Sequence, residues 1–122
     1  MKNELFFKVN LKMIVTGWYS GSHNENGVGY GIRVTHKDRD MYFQKEWTSV
    51  IIELEKESEI EVNLSKSFWR KCSELRRAQI GRWLFIHNLA PWVKYNPPRL
   101  KLMPIGDRRF RLMLIHVENS RI

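Results

Sequence analysis

The sequence predicts a small, mainly β fold: a barrel or sandwich of about six strands, with two short helical pieces plugging its ends. Three observations predict it. Apolar residues recur with period two in several short runs, turn-forming residues punctuate the chain between those runs, and only one longer stretch reads as a helix. The 122 residues and 43% hydrophobic content fit one packed domain, residues 1–122, with a single modest core.

Taken in order, Phe7, Val9, Leu11, Met13 and Val15 alternate with Lys8, Asn10 and Lys12, which predicts a half-buried strand. Residues 17–31 hold five glycines with Ser20, Ser22, Asn24 and Asn26 between them and read as an exposed loop. A strand follows at Tyr30 to Val34. Thr35 can then cap one or two helical turns carrying Asp38 and Asp40, up to Phe43. Val50 to Leu54 reads as a strand whose hairpin partner carries Ile60, Val62 and Leu64. The best helix runs from Ser73, as its cap, to Leu89, with an exposed start and a buried end. Pro91, Pro97 and Pro98 exclude regular helix from Ala90 to Pro98, a stiff connection that Trp92 anchors. Arg99 to Met103 and Arg109 to Val117 then flank a turn at Gly106 and Asp107 as two final strands.

Charge is the strongest functional signal. The chain carries a net charge of +8, and residues 66–111 hold twelve Lys or Arg against two acids, Glu74 and Asp107, while the first 65 residues are slightly acidic. With Trp69, Trp83 and Trp92 among the basic residues, this is an electrostatic footprint for a polyanion and makes nucleic acid the leading partner class. No run approaches the roughly 20 apolar residues that span a bilayer, and the chain does not open with a secretory signal pattern, so the expectation is no membrane partner and a cytoplasmic location. One cysteine, Cys72, rules out an internal disulfide and a zinc finger, and the sequence reads it as a small thiol that is buried or half-buried.

Chemistry beyond binding is thinly represented. No lysine has an acid two residues before it, as the acid-any-Lys element of many restriction nucleases requires. Asp38 and Asp40 read as capping or solvated acids, and the string His23-Asn24-Glu25 has no downstream pair of cysteines to make a zinc deaminase site. Gly27, Gly29 and Gly31 lack the Lys-Ser/Thr pair of a phosphate-cradling loop. The leading expectation is therefore no catalytic residue, metal site or cofactor. Arg70, Lys71, Arg76, Arg77 and Arg82 can instead neutralise phosphates, and an arginine on a protruding loop can also read the O6 and N7 edge of guanine. Trp69 is either a core tryptophan or a surface ring for a sugar or base. His36, Lys37 and Arg39 form a second small basic cluster.

Two stretches carry a family resemblance. Residues 30–43, Tyr-Gly-Ile-Arg-Val-Thr-His-Lys-Asp-Arg-Asp-Met-Tyr-Phe, are followed by Trp69, Ser73, Leu75, Gly81-Arg82-Trp83, Phe85 and Asn88-Leu89. Together they resemble the DNA-binding pseudobarrel superfamily, which includes the auxin-response-factor-type domain of plants and effector-binding domains of some bacterial restriction enzymes. The resemblance covers residues 30–115 and implies an open pseudobarrel of about six to seven strands with two short helices. It further implies two loops that enter the major groove of DNA like the jaws of a wrench. Position by position, Arg33, Thr35, His36, Lys37 and Arg39 fall in one jaw, and Lys66, Trp69, Arg70 and Lys71 in the other. Two features depart from the family pattern. Ala90 to Pro98 replaces a Gly-Asp turn, and the strand at residues 5–15 has no clear counterpart.

The leading expectation is thus a non-catalytic double-stranded DNA-binding domain, an accessory or effector module in defence, mobile-element or regulatory contexts. Three alternatives stand beside it: an RNA or single-strand binder; a small metal-dependent nuclease using His36 or His116 with Asp38 and Asp40; and an interaction module for an acidic protein.

Overall fold

The computed structural model describes residues 12–21, 23–55 and 58–115. The expected alternation at Phe7, Val9 and Leu11, together with His116 and Val117, lies outside them. Seven strands form one sheet: β1 (Met13–Tyr19), β2 (Tyr30–Arg33), β3 (Ser49–Glu55), β4 (Ser58–Asn63), β5 (Glu74–Arg76), β6 (Arg99–Gly106) and β7 (Arg109–Leu114). Helix α1 (His36–Tyr42) follows β2, a 3-10 turn (Lys66–Trp69) precedes β5, and helix α2 (Ala78–Ile86) follows it.

The strand order is β4-β3-β7-β6-β1-β2-β5, antiparallel throughout except for the parallel pair β3 and β7. The two outer strands, β4 and β5, approach one another, so the sheet curls into a nearly closed barrel. This is the mainly β barrel with two short helices that the alternation predicted. Period two fills its interior: Met13 and Val15 from β1, Ile32 from β2, Ile52 from β3, Val62 from β4, Leu100 and Leu102 from β6, and Phe110 and Leu112 from β7 all point inward and are buried. Phe43, just past α1, stacks on Phe110 at 4.8 Å and packs against Phe68 at 5.1 Å, closing one part of this core. No helix among the described residues is long and apolar enough to cross a membrane.

Four expectations need correction. The glycine-rich loop is shorter than residues 17–31, because Gly17, Trp18 and Tyr19 continue β1 and pair with Ile32, Gly31 and Tyr30 of β2. The helix expected from Ser73 to Leu89 begins only at Ala78. Glu74, Leu75 and Arg76 are instead a strand paired with Arg33, Ile32 and Gly31, and Ser73 is no helix cap: its buried hydroxyl donates to the Val34 carbonyl. The end of α2 is not its buried part either, since Ile80, Gly81, Trp83 and Leu84 are inside while Ile86 is exposed. The last turn sits at Asp107 and Arg108, one residue later than expected, with Arg108 at φ 57.

Trp92 does anchor the connection before β6. A Cβ at Gly17 would come within 2.9 Å of the Trp92 ring, and the Gly17 N–H donates to the Pro98 carbonyl at 3.0 Å. The glycine lets the indole come close against β1, which fixes the path of residues 90–98.

Candidate nucleic-acid interface

The candidate interface begins where β2 ends and β5 starts. Beyond their regular pairing, the Val34 N–H donates to the Ser73 carbonyl at 2.9 Å and the Ser73 hydroxyl returns a bond to the Val34 carbonyl. The segment leaving β2 and the segment entering β5 are therefore held side by side, although 39 residues separate Val34 from Ser73 in the chain. Thr35 accepts the Asp38 N–H at 3.1 Å and so starts α1, as its place before two acids predicted. His36 reaches across, its Nε2 lying 3.2 Å from the Lys71 carbonyl.

Arg39 completes the link. Its Nη1 donates to the carbonyls of Phe68 at 3.0 Å and Arg70 at 3.1 Å, and its Nε donates to Asp40 at 2.9 Å. That bond holds the exposed Asp40 carboxyl below its usual range. Read from the sequence as a DNA contact, Arg39 is only 8% exposed and faces the inside of the second loop. Its physical role is to satisfy backbone acceptors that the irregular chain around the 3-10 turn leaves without partners. Trp69 is half-buried, against Phe68 and 5.7 Å from the Arg39 guanidinium, so neither the core nor the surface reading describes it fully. Thr35, His36, Lys37, Lys66, Arg70 and Lys71 remain exposed on one rim. Cys72 is exposed on the same rim, contrary to expectation, because the inward position goes to its neighbour Ser73.

A second basic surface continues from this rim along the outer face of the sheet. Residues paired across strands share a face. Glu74, Arg33, Thr16 and Arg99 form one cross-strand row, and Arg76, Gly31 and Trp18 form the next row. The Glu74 side chain is 3% exposed, clamped between Arg33 Nε at 3.1 Å and Arg76 Nη2 at 2.9 Å. One carboxylate thus holds two guanidinium groups whose remaining donors face solvent. Arg76 also lies over the Trp18 ring at 4.6 Å. Lys101, beside Ile14, extends the track. Arg77 is exposed but stands at the far end of β5, about 13 Å from Ser73 at the rise of an extended chain.

Sequence reasoning missed Trp18, Glu74, Arg99 and Lys101. A signal was available for two of them, since Arg99 and Lys101 alternate with the buried Leu100 and Leu102 and so must face outward together. Trp18 was hidden by Gly17 and Gly21, which made its stretch read as loop, and Glu74 by the helix expected over it.

Other arginines in the basic segment are engaged elsewhere. Arg82 donates to the Asn26 carbonyl at 2.9 Å and Arg108 to the Ser49 carbonyl at 2.8 Å. Arg109 pairs with Glu59, and Arg111 with Glu53. Glu53 and Glu59 are directly opposed across β3 and β4, an unfavourable like-charge pair that these two arginines offset.

Among the described residues, no three His, Cys, Asp or Glu side chains are grouped to hold a metal ion. Asp40 is taken up by Arg39, Asp38 lies in the first turn of α1, and His116 falls outside the described residues. No protein-family model, curated protein or solved structure matches the chain.

Proposed function

We propose that the protein is a non-catalytic double-stranded DNA-binding domain. The first loop, which ends at Thr35 and the start of α1 (35–37), and the second, 66–71, grip the duplex, and the outer face of β5, β2, β1 and β6 follows its phosphates. The observation that carries this reading is the convergence of the two loops. Segments about 30 residues apart in sequence present Lys37 on one side and Lys66, Arg70 and Lys71 on the other, and Arg39 and the Val34–Ser73 bonds hold that rim in shape. A preformed basic rim meets a polyanion with little ordering cost.

The order of elements adds support. From β2 on, a strand, a short helix at an acidic turn, two strands, a long connection that holds the basic loop and the short β5, a helix and a closing hairpin follow one another, the order on which the pseudobarrel resemblance rests. Duplex is favoured over single strands at the rim because most of its exposed side chains are cations, while its one indole, Trp69, is half-buried.

Fluorescence anisotropy with matched duplex DNA, single-stranded DNA and RNA across a salt series tests the proposal. Duplex should bind most tightly, with a salt slope corresponding to several released counterions. Arg70→Glu with Lys71→Glu should lower duplex affinity at least about tenfold while leaving the unfolding transition in place. Unchanged binding by the folded double variant removes the second loop from the interface, and tighter binding to RNA or single strands replaces the duplex reading.

A further inference from the structure

Beside the basic face, a cleft of about 400 Å³ opens between β1 and the connection that leads to β6. Its walls are aromatic. Trp18 and Tyr19 of β1 and Trp92 and Tyr95 of the connection line it, with Arg33 and Lys94 alongside. Most of this wall is rigid. Tyr19 meets the edge of Trp92 at 5.3 Å, and Trp92 in turn meets the edge of Tyr30 at 5.6 Å. Trp92 also lies against Gly17, and Arg76 covers Trp18.

Tyr95 differs from these rings. It sits at φ 70 on a turn closed by the Asn96 N–H and the Val93 carbonyl, and it is 89% exposed. A bulky residue in the left-handed region with its ring in solvent contributes nothing to the core, and the strained backbone needs another reason.

We infer that this cleft takes an unpaired nucleobase, so that the protein prefers a duplex carrying an unpaired nucleotide beside the loops' footprint to a fully paired one. Aromatic walls take a flat ring or a cation. Here Arg33 and Lys94 are part of the lining, with Lys94 Nζ 5.2 Å from the centre of the Tyr95 ring, which repels a cationic guest and leaves a flat ring attached to an anion. A nucleotide is that combination, a base for the aromatic walls and a phosphate for the guanidinium and ammonium groups. Arg33 belongs both to this cleft and, through Glu74, to the proposed DNA face, so the two sites adjoin. A base stacked within a duplex cannot enter, and unpairing is cheapest for a nucleotide that has no partner.

The inference rests on the duplex-binding reading, and its test separates the two. Three duplexes are compared by anisotropy: fully paired, with a single unpaired 2-aminopurine inside, and with the same base as an overhang. Wild-type protein should bind at least one unpaired duplex about fivefold or more tightly than the paired one, with a change in 2-aminopurine fluorescence. Tyr95→Asn and Tyr95→Gly, which both suit the left-handed backbone, should each abolish that preference while keeping affinity for the paired duplex within about twofold. Equal binding of all three duplexes by wild type, or a preference that survives both substitutions, overturns the base site and leaves the duplex reading intact. Absence of binding to every duplex overturns both.

Discussion

The Arg39 guanidinium bonds two main-chain carbonyls of the second loop from a helix that belongs to the first. Removing it leaves buried acceptors without donors, at a cost of about 2 kcal/mol. Arg39→Ala should therefore lower the unfolding free energy by that amount in denaturant titration. It should also weaken duplex binding severalfold with the salt slope unchanged, since no phosphate contact is lost. A residue that touches phosphate behaves otherwise, because its removal lowers the slope by nearly one unit. If the slope falls in Arg39→Ala, the residue contacts DNA after all. His23 offers a second residue-scale expectation. Burial lowers its pKa from the ordinary 6.5, while burial and the nearby Tyr19 push the Tyr30 phenol that faces Nδ1 up to about 12, so this hydroxyl keeps its proton. Between the lowered value and 6.5 the unfolded chain binds more protons than the folded one, so stability declines as pH falls below 6.5. Thermal melts from pH 7.5 to 5 should show that decline in wild type and a flatter profile in His23→Gln. Parallel profiles would remove His23 as its source.

At the scale of elements, what the sequence made legible was whatever repeats locally. Ile60 and Val62 alternating with Glu59 and Glu61, and Leu100 and Leu102 with Arg99 and Lys101, announce their strands because every second residue meets the core. Glu74–Arg76 is too short to alternate, and its strand exists only because β2 offers a partner some 40 residues away. A three-residue strand defined by long-range pairing loses, in a local reading, to the helix that follows it. The first loop was legible through Thr35 and its two acids, whereas the inward turn of Arg39 was not, since nothing nearby in sequence reveals the carbonyls of Phe68 and Arg70. Helix α2 seats on the glycine loop by close backbone approach. A Cβ at Gly81 would stand 2.6 Å from both the Cα and carbonyl oxygen of Gly27, and 2.7 Å from the Tyr30 Cβ. Alanine normally strengthens a helix, yet Gly81→Ala should destabilise the domain by about 1–3 kcal/mol in denaturant titration through this overpacking. A gain in stability would mean that the loop gives way freely.

Across the whole molecule, charge is arranged by flank. The outer faces of β3 and β4 carry Glu53, Glu55, Glu59 and Glu61, and Arg109 and Arg111 of β7 are drawn to this side by ion pairs. Lys37 and Lys66 stand instead on the rim built by the two loops, where a duplex would bring several phosphates within about a Debye length. The net charge of +8 is a poor guide to binding for this reason, and the arrangement has a measurable consequence. Lys37→Gln with Lys66→Gln and Arg109→Gln with Arg111→Gln each remove two positive charges. The first pair should reduce duplex affinity about tenfold near 0.1 M salt and lower the salt slope by nearly two. The second pair should change affinity by less than about twofold. Its cost falls on folding instead, about 0.5–1 kcal/mol, because it leaves Glu53 and Glu59 opposed across β3 and β4 without their counterions. Equal losses of affinity in the two variants would show that the duplex responds to total charge alone, and the two-loop rim would then have no special part in binding.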